Sequence, residues 1–567
     1  MLDLLIKNAR VVDGSGNPWF RGEVGVRGGK VAVVSRHSLD APAARAIDAA
    51  GMVVCPGFID LHSHSDYTVW VHNRAESALR MGVTTEAVGQ CGGTVHTFSG
   101  EALRDRIRDT MASFSLVLPA EAEVRWNTLA EWRSALESRG IGINLCPFIG
   151  HGTVRESVLG TEGKGGERSE PAPEEMERMK ALVRQGMEDG AFGISTGLRY
   201  APGRNAFTEE VVELARVVAE CGGVYTSHIR SEEEYLVSAV RELVRISREA
   251  RLPACVSHHK AMLPENWGKT FETIRVLERA RDEGVDVICD VYPWTLARQA
   301  NLGTWFMGHI LSPDSGTPES EQLFRRLKDD GEWGKIREAV RAGHAKEVQL
   351  NEERRRVLAR KGVMVPDIWD PETFDYIVWS PAHPELEGLN FRDVGRVLGC
   401  DDYWDAVRMV YLEDEGFTQV AAGGMAEEDM LHVLRWPWSC VSTDGFALDN
   451  SPDLSRPQCG VHPRQYGTYP KVLGRYVREA RFLRLEEAIR KMTSLPAQFL
   501  GLRDRGLVRE GMWADLVVFD PETVACAATH REPSKYPMGI AYVLVNGQLV
   551  IDQGRHTGIL AGKVLSR

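Results

Sequence analysis

Between about residues 56 and 494 the chain alternates short apolar, β-prone runs with longer stretches of helical periodicity, the pattern of βα units around a parallel sheet. Eight such runs stand out: VVCPGFIDLH (53–62), VTTEAVGQC (83–91), GINLCPFIGH (142–151), AFGIST (191–196), VYTSH (224–228), ACVSH (254–258), VDVICDVY (285–292) and CVSTD (440–444). Eight strands close a barrel. Between two of these runs, Leu236, Val237, Val240, Leu243, Val244 and Ile246 recur at three-to-four spacing, the stripe of an amphipathic helix. The two ends of the chain follow another rule. LLIKNARVVDGSG and VGVRGGKVAVV near the start, and ADLVVFD, GIAYVLV and QLVIDQG near the end, alternate β-prone runs with glycine turns, and Asn546-Gly547 is a hairpin signal. The pattern predicts an α/β protein: a (β/α)8 TIM-like barrel over 56–494, and a small β-sandwich domain built from 1–55 and 495–567. About 148 residues separate the seventh run from the eighth. Within that gap the charged segment 303–375, which carries Trp305, Trp333 and Trp369, reads as an insertion that folds over the barrel mouth as a lid.

Charge narrows the choice of partner. A net charge of −12 and a pI near 5.8 over 567 residues argue against a nucleic-acid surface and for a small-molecule substrate. The ten cysteines show no repeated spacing and no CxxC pair, so they read as thiols of a reducing compartment. The first residues, MLDLLIKNARVVDGSG, are too short and too interrupted for a secretory signal, and no stretch approaches a membrane-spanning apolar run. The expectation is a cytoplasmic protein without a membrane partner.

The chemistry gathers at one end of the strands. His62 and His64 follow the first run, Cys91 the second, His228 the fifth, His258 the sixth and Asp444 the eighth. Each has a bland explanation: a lone histidine is more often a bonded core residue, a cysteine a small buried hydrophobe, and an aspartate in STDG the start of a turn. Six such residues at the carboxyl rim of a barrel, where catalytic groups converge, point instead to one site. Four imidazoles, a thiolate and a carboxylate suit Zn²⁺. There are ligands enough for two ions sharing one bridging group, or for one tight ion with a weaker neighbour. Bound zinc lowers the pKa of water to about 7 and polarises a carbonyl, and Asp444 stands where it can take a proton and return it to a leaving amine.

GFIDLHSHSD, GVTTEAVGQCG, STGLRYAPG, TSHIRSE, VSHHK, STDG and HPRQYGTYPKVLG together resemble the D-aminoacylases, N-acyl-D-amino-acid deacylases of the amidohydrolase superfamily. The resemblance covers most of the chain and implies residue roles. Cys91 takes the place of the metal-bridging carbamylated lysine of many relatives. Cys91, His228 and His258 form the tighter zinc site, while His62, His64 and Asp444 line the weaker one, with Asp444 as general acid and base. Lys260 matches the lysine that binds the substrate's α-carboxylate; Tyr292 and Tyr200 fall at substrate-binding positions. After Tyr-Pro-Trp the usual small and hydroxyl residues are replaced by TLARQAN, which brings in Arg298 as a substitute cation.

The implied reaction is hydrolysis of the amide of an N-acyl-D-amino acid. Tyr67, Trp70, Trp294, Phe446 and Leu448 flank the motifs and favour an apolar D-amino acid, a preference that an unpaired Arg199 or Arg298 in the pocket would reverse. The alternatives are a cyclic-amide hydrolase of the same superfamily, which would need a lysine that AFGIST lacks, and a metal-free scaffold on the same fold.

Overall fold

The computed structural model describes residues 1–96, 105, 107, 124, 126–160, 168–307, 319–449 and 461–567, without the side chains of 304, 305, 307 and 319–322. The barrel strands are Phe58–Asp60, Val83–Val88, Asn144–Pro147 continued by Ile149–Gly150, Gly193–Gly197, Val224–His228, Ala254–Val256, Val287–Val291 and Ser439–Val441. They pair in parallel in chain order. The ring is interrupted at Phe148 and closes through a parallel bridge from Ser63 to Gly445. The result is a distorted TIM-like barrel.

Period-two alternation aims the strands. Ala87, Val224, Ile288 and Cys440 point into the barrel core, where Leu495, Phe499 and Leu500 of the Ser494–Leu500 helix pack against them. Four residues further along the same four segments stand Cys91, His228, Tyr292 and Asp444. Only His228 is still on its strand; Cys91, Tyr292 and Asp444 lie just beyond the ends of theirs. Outside the strands, the Leu236–Ala250 helix buries Leu236, Val240, Leu243, Val244 and Ile246 of the stripe read from its sequence, with Ala239 and Ala250 beside them and Val237 only half-buried.

Both chain ends enter one nine-stranded sheet, with Val53–Pro56 hydrogen-bonded between Leu2–Val11 and Leu516–Phe519. Alternate residues serve two cores. Val54, Leu516, Val518 and Leu544 pack with Leu4, Ile6, Val24 and Val26, whereas Val53, Cys55, Val517, Phe519 and Val543 join the barrel's main core.

The excursion after the seventh strand is wider than segment 303–375. Gln299–Asn301 and Asp375–Trp379 pair antiparallel on either side of Gln419–Ala422. Helices Asp330–Leu358, Phe391–Leu398 and Tyr403–Glu413 lie between these strands in sequence, and Phe306, Trp333, Ile336, Ile377, Phe391, Trp404 and Tyr411 form a separate core. Strand pairing, not composition, carries the unit on to residue 422. The side chain of Trp305 and residues 308–318 lie outside the described part. Among the described residues, no helix is long and apolar enough to cross a membrane.

Burial lowers the pKa of His72, His96 and His530 to about 4. A histidine held below its unfolded value of about 6.5 favours the folded state fully above that pH, and the contribution is lost as the pH falls toward 4. Each can withdraw up to about 3 kcal/mol over that window. Glu86, raised to about 7 by burial, acts in the opposite sense, stabilising less as the pH rises from about 4.5 to 7. The buried histidines, His259 at about 4 among them, predict that urea midpoints of chelator-treated protein fall between pH 6.5 and 4.5, and that His72→Asn flattens the fall; a flat profile would contradict the burial argument.

Candidate metal centre

His62, His64, Cys91, His228, His258 and Asp444 converge at the mouth, but not on extended strands. The first strand ends at Asp60, and His62 and His64 follow in a bend with ring centroids 5.4 Å apart. Cys91, His258 and Asp444 have positive φ, at 53°, 36° and 48°. Left-handed backbone costs an L-residue roughly 1–2 kcal/mol, and such strain gathers at functional sites. His258 depends on it directly. Cys255 points into the barrel core, so an unbroken strand would send Ser257 to the mouth and His258 away from it.

Neighbouring strands brace these turns. The Gly92 amide donates to Ser195 Oγ at 3.1 Å, and that hydroxyl donates to the Gly89 carbonyl at 2.5 Å, bracketing Cys91. Gly197 runs so close beneath it that a Cβ there would lie 2.1 Å from the Cys91 carbonyl oxygen. The His258 amide donates to Asp290 Oδ1 at 2.9 Å, and the Asp444 amide to the His62 carbonyl at 2.9 Å.

Cys91 Sγ lies 3.4 Å from His258 Nε2 and 3.8 Å from His228 Nδ1, and these two nitrogens are 2.9 Å apart. Cys91 is also 3.3 Å from His62 Nε2. Asp444 Oδ1 stands 3.5 Å from His62 Nε2 and 3.3 Å from His64 Nε2. A tetrahedral zinc site with bonds of about 2.0–2.3 Å sets its donor atoms about 3.3–3.8 Å apart. The separations from Cys91 and Asp444 fall in that range, whereas the 2.9 Å between His228 Nδ1 and His258 Nε2 is shorter than such a site would set. The donor types fit, and Cys91 touches both halves of the cluster, as a bridging thiolate would.

Burial pushes the Cys91 thiol up, Asp444 adds to the rise, and the nearby Lys260 opposes it. Burial also holds His228 and His258 well below the ordinary imidazole range, so both are neutral and have a lone pair to give. For Asp444, burial alone would favour protonation; Arg464 and the histidines outweigh it and hold the carboxyl well below its usual range.

The cluster opens into a cavity of about 770 Å³ that Tyr200, Lys260, Tyr292, Arg298 and Arg464 also line. Burial alone would discharge Lys260, but Glu232 and Tyr292 raise its pKa and keep it an ammonium, 2.6 Å from Glu232 Oε1. It reaches the cavity although the chain has left the strand after Val256, so its direction does not come from an extended segment. Tyr292, raised to about 12 by burial, remains a donor. Tyr200 puts its hydroxyl 3.3 Å from His228 Nδ1. Arg298 is exposed and has no ion-pair partner among the described residues, whereas Arg199 is 3.7 Å from Glu233 and lies over Trp369.

Three further residues belong to the site. Arg464 donates to Asp444 Oδ2 at 2.7 Å and packs over Tyr292; it could have been found as the arginine of HPRQYG. Asp290 Oδ2 lies 3.6 Å from His62 Nδ1, and its position two residues before Tyr292 on the same strand was the available signal. Glu232 was foreshadowed by its place four residues after His228 in SHIRSE.

A family model described as the amidohydrolase family matches residues 45–350 and 456–551. N-acyl-D-glutamate deacylase of Alcaligenes xylosoxydans xylosoxydans is 33% identical over 554 residues, covering 97% of this chain and 94% of its own length. D-aminoacylase of the same organism is 32% identical over 565 residues, covering 100% and 98%. The crystal structure of N-acyl-D-glutamate deacylase from Bordetella bronchiseptica, complexed with zinc and a phosphonate mimic of the tetrahedral intermediate, superposes with a TM-score of 0.72 at 31% identity, covering 100% of both chains.

Protein purified with zinc in the medium should hold about one to two equivalents, the range its donor set allows. His228→Ala and His258→Ala should each lose the tight ion. Elemental analysis finding full retention in both variants would overturn the assignment of these two ligands.

Proposed function

The chain belongs to the amidohydrolase family, and from that premise we propose that it is a zinc-dependent N-acyl-D-amino-acid deacylase, releasing a free D-amino acid and a carboxylate. The observation that carries this reading is the convergence of Cys91, His228 and His258 with His62, His64 and Asp444, beside a cluster of cations. Zinc, when bound by these residues, supplies Lewis-acid polarisation of the amide carbonyl and activation of water. The remaining work falls to the chain's own groups.

Asp444 is ionised and is held by His64 and Arg464. In this reading it takes the proton from the attacking water as the oxygen bonds to the carbonyl carbon. It returns that proton to the nitrogen as the C–N bond breaks, so the amine departs neutral. Lys260, Tyr292 and Arg464 receive the substrate's α-carboxylate, and the Tyr200 hydroxyl, which also lines the cavity, donates to the substrate. The charge at Lys260 is already matched by Glu232, so an arriving carboxylate shares that ammonium.

Side-chain preference is more mixed than the apolar flanking residues suggested. Of those five, only Tyr67 and Phe446 line the cavity; Met262, Trp369 and Phe374 add apolar wall, and Arg298 adds a cation with no ion-pair partner among the described residues. This combination favours a D-amino acid with an apolar stem and a terminal acceptor. Trp369, Phe374 and His344 support a lid role for segment 303–375, since they bring it to the cavity wall. The domain division into 1–55 with 495–567 and 56–494 accompanies this reading. Nine free thiols among the described residues support a reducing, cytoplasmic setting.

A cyclic-amide hydrolase is disfavoured because the fourth strand, Gly193–Gly197, carries no lysine for carbamylation and Cys91 stands at the bridging position. Primary-amine release from a panel of N-acetyl D- and L-amino acids, with hydantoin and dihydroorotate as controls, tests the reading; turnover of the cyclic amides alone would refute it. Asp444→Asn should keep the tight zinc while kcat falls about a hundredfold or more, and near-normal turnover by a zinc-replete variant would remove Asp444 from the mechanism. Lys260→Ala should cost about 2–4 kcal/mol in kcat/KM, the scale of losing one partner of a buried charge pair, with zinc retained. Equal cleavage of carboxylate-blocked substrates, before and after that substitution, would rule out the anchor.

A further inference from the structure

We propose that His462 is the positioning residue that couples the general acid/base to the side-chain wall of the cavity, one ring nitrogen fixing the backbone of Arg464 and the other the segment that carries Arg298. The inference rests on the proposed role of Asp444, although the two contacts that carry it do not.

Arg464 opens the Arg464–Lys471 helix, and its guanidinium donates to Asp444 Oδ2 at 2.7 Å. An amide at a helix start has no partner within the helix and needs one from outside. Pro463, at the capping position, makes no side-chain bond to it. His462 does, since the Arg464 amide donates to His462 Nδ1 at 3.0 Å. The Arg464 carbonyl is held as well: it accepts from the Thr468 hydroxyl at 2.8 Å, and the Trp294 indole N–H donates to that same hydroxyl at 3.3 Å. The side chain of Arg464 therefore approaches Asp444 from a fixed root.

The other edge of the ring faces the inserted unit. His462 Nε2 lies 3.2 Å from the Leu296 carbonyl oxygen. A backbone amide can only donate and a carbonyl can only accept, so the ring is neutral with its proton on Nε2. Burial, with His530, Arg464 and Lys471 nearby, holds it well below the ordinary imidazole range, in agreement. Leu296 stands two residues before Arg298, in a segment whose Ala297 amide and Arg298 carbonyl pair with Ala422 of the inserted unit. The next residue, Gln299, is held by His530: its side-chain amide donates to the His530 carbonyl and accepts from Nδ1, each at 2.9 Å. The two histidine rings meet edge to face with centroids 5.0 Å apart. His462 is thus shared between the group that holds the acid/base and the base of the unit that walls the cavity.

Asparagine and glutamine separate the two contacts. The asparagine oxygen falls near Nδ1 and accepts from an N–H two residues on, as in an Asx turn, but nothing stands in place of Nε2. The glutamine amide reaches the place of Nε2 and donates there, leaving the Arg464 amide without its acceptor.

The test uses zinc-loaded, full-length protein and the N-acetyl-D-amino acid it cleaves best. His462→Gln should lower kcat about tenfold with KM within about twofold, since a shift of about 1 Å in a positioned group costs up to about a hundredfold. His462→Asn should show the reverse, KM rising about fivefold or more with kcat within about twofold. In protein labelled with nitrogen-15 histidine, the His462 signals, identified by their loss in either variant, should place the proton on Nε2. The Nδ1–H form, or zinc-replete variants that leave kcat and KM unchanged or lower activity in the same way, would overturn the proposal; a merely structural role gives that common loss. If one variant fails to fold, the other and the wild-type spectrum still decide. If no N-acyl-D-amino acid is turned over while His462 carries its proton on Nε2, the functional reading falls and the anchoring of Arg464 stands.

Discussion

A thiol, four imidazoles and a carboxylate packed within a few ångströms of one another demand a balance of charge that water cannot supply at this depth. Burial disfavours the Cys91 thiolate and the protonated forms of His228 and His258, which leaves a neutral thiol and neutral imidazoles beside the ionised Asp444. A divalent cation resolves this, because it takes the lone pairs and displaces the thiol proton. Arg464 plays the same part for Asp444. The rest of the structure keeps these groups close against their mutual preference for separation.

A layer of buried carboxylates performs much of that holding. Asp60 accepts from the His62 amide and from the backbone and hydroxyl of Thr443, tying the first strand to the eighth where the barrel closes. Asp290 accepts from the His258 amide and from Ser442. Glu232 accepts from Lys260 and lies 3.0 Å from His258 Nδ1. Each carboxylate links segments from at least two strands, so the ring of ligands is fixed by cross-strand bonds rather than by any one loop. This is how the positive-φ turns at Cys91, His258 and Asp444 can persist.

The added units have different relations to this centre. The terminal sheet shares a core with the barrel through Val53, Val517 and Val543, and the Ser494–Leu500 helix packs onto the barrel's inner core, so both chain ends stabilise the scaffold. The unit after the seventh strand has a core of its own, yet Trp369 and Phe374 from it line the substrate cavity. The metal-ligand cluster and part of the cavity wall thus reside on separately packed parts, joined through Tyr292, Met262 and Phe374.

Local rules determined a great deal of this from sequence. Two-residue and three-to-four-residue periods are properties of short segments, so the eight strands, the Leu236–Ala250 stripe and the β-rich ends were legible, and so were the donor residues at the strand ends. Glu232, Asp290 and Arg464 were not singled out, because a charged residue near a motif looks solvated until its partners are known. The reach of the inserted unit to residue 422 was equally hidden, since antiparallel pairing of residues more than a hundred apart leaves no periodic trace. Tertiary structure alone decided that His258 would turn inward at positive φ and that Lys260 would be paired with Glu232. Sequence specifies which atoms a segment can offer and on which face; only packing across strands determines which nitrogen of a ring meets which oxygen.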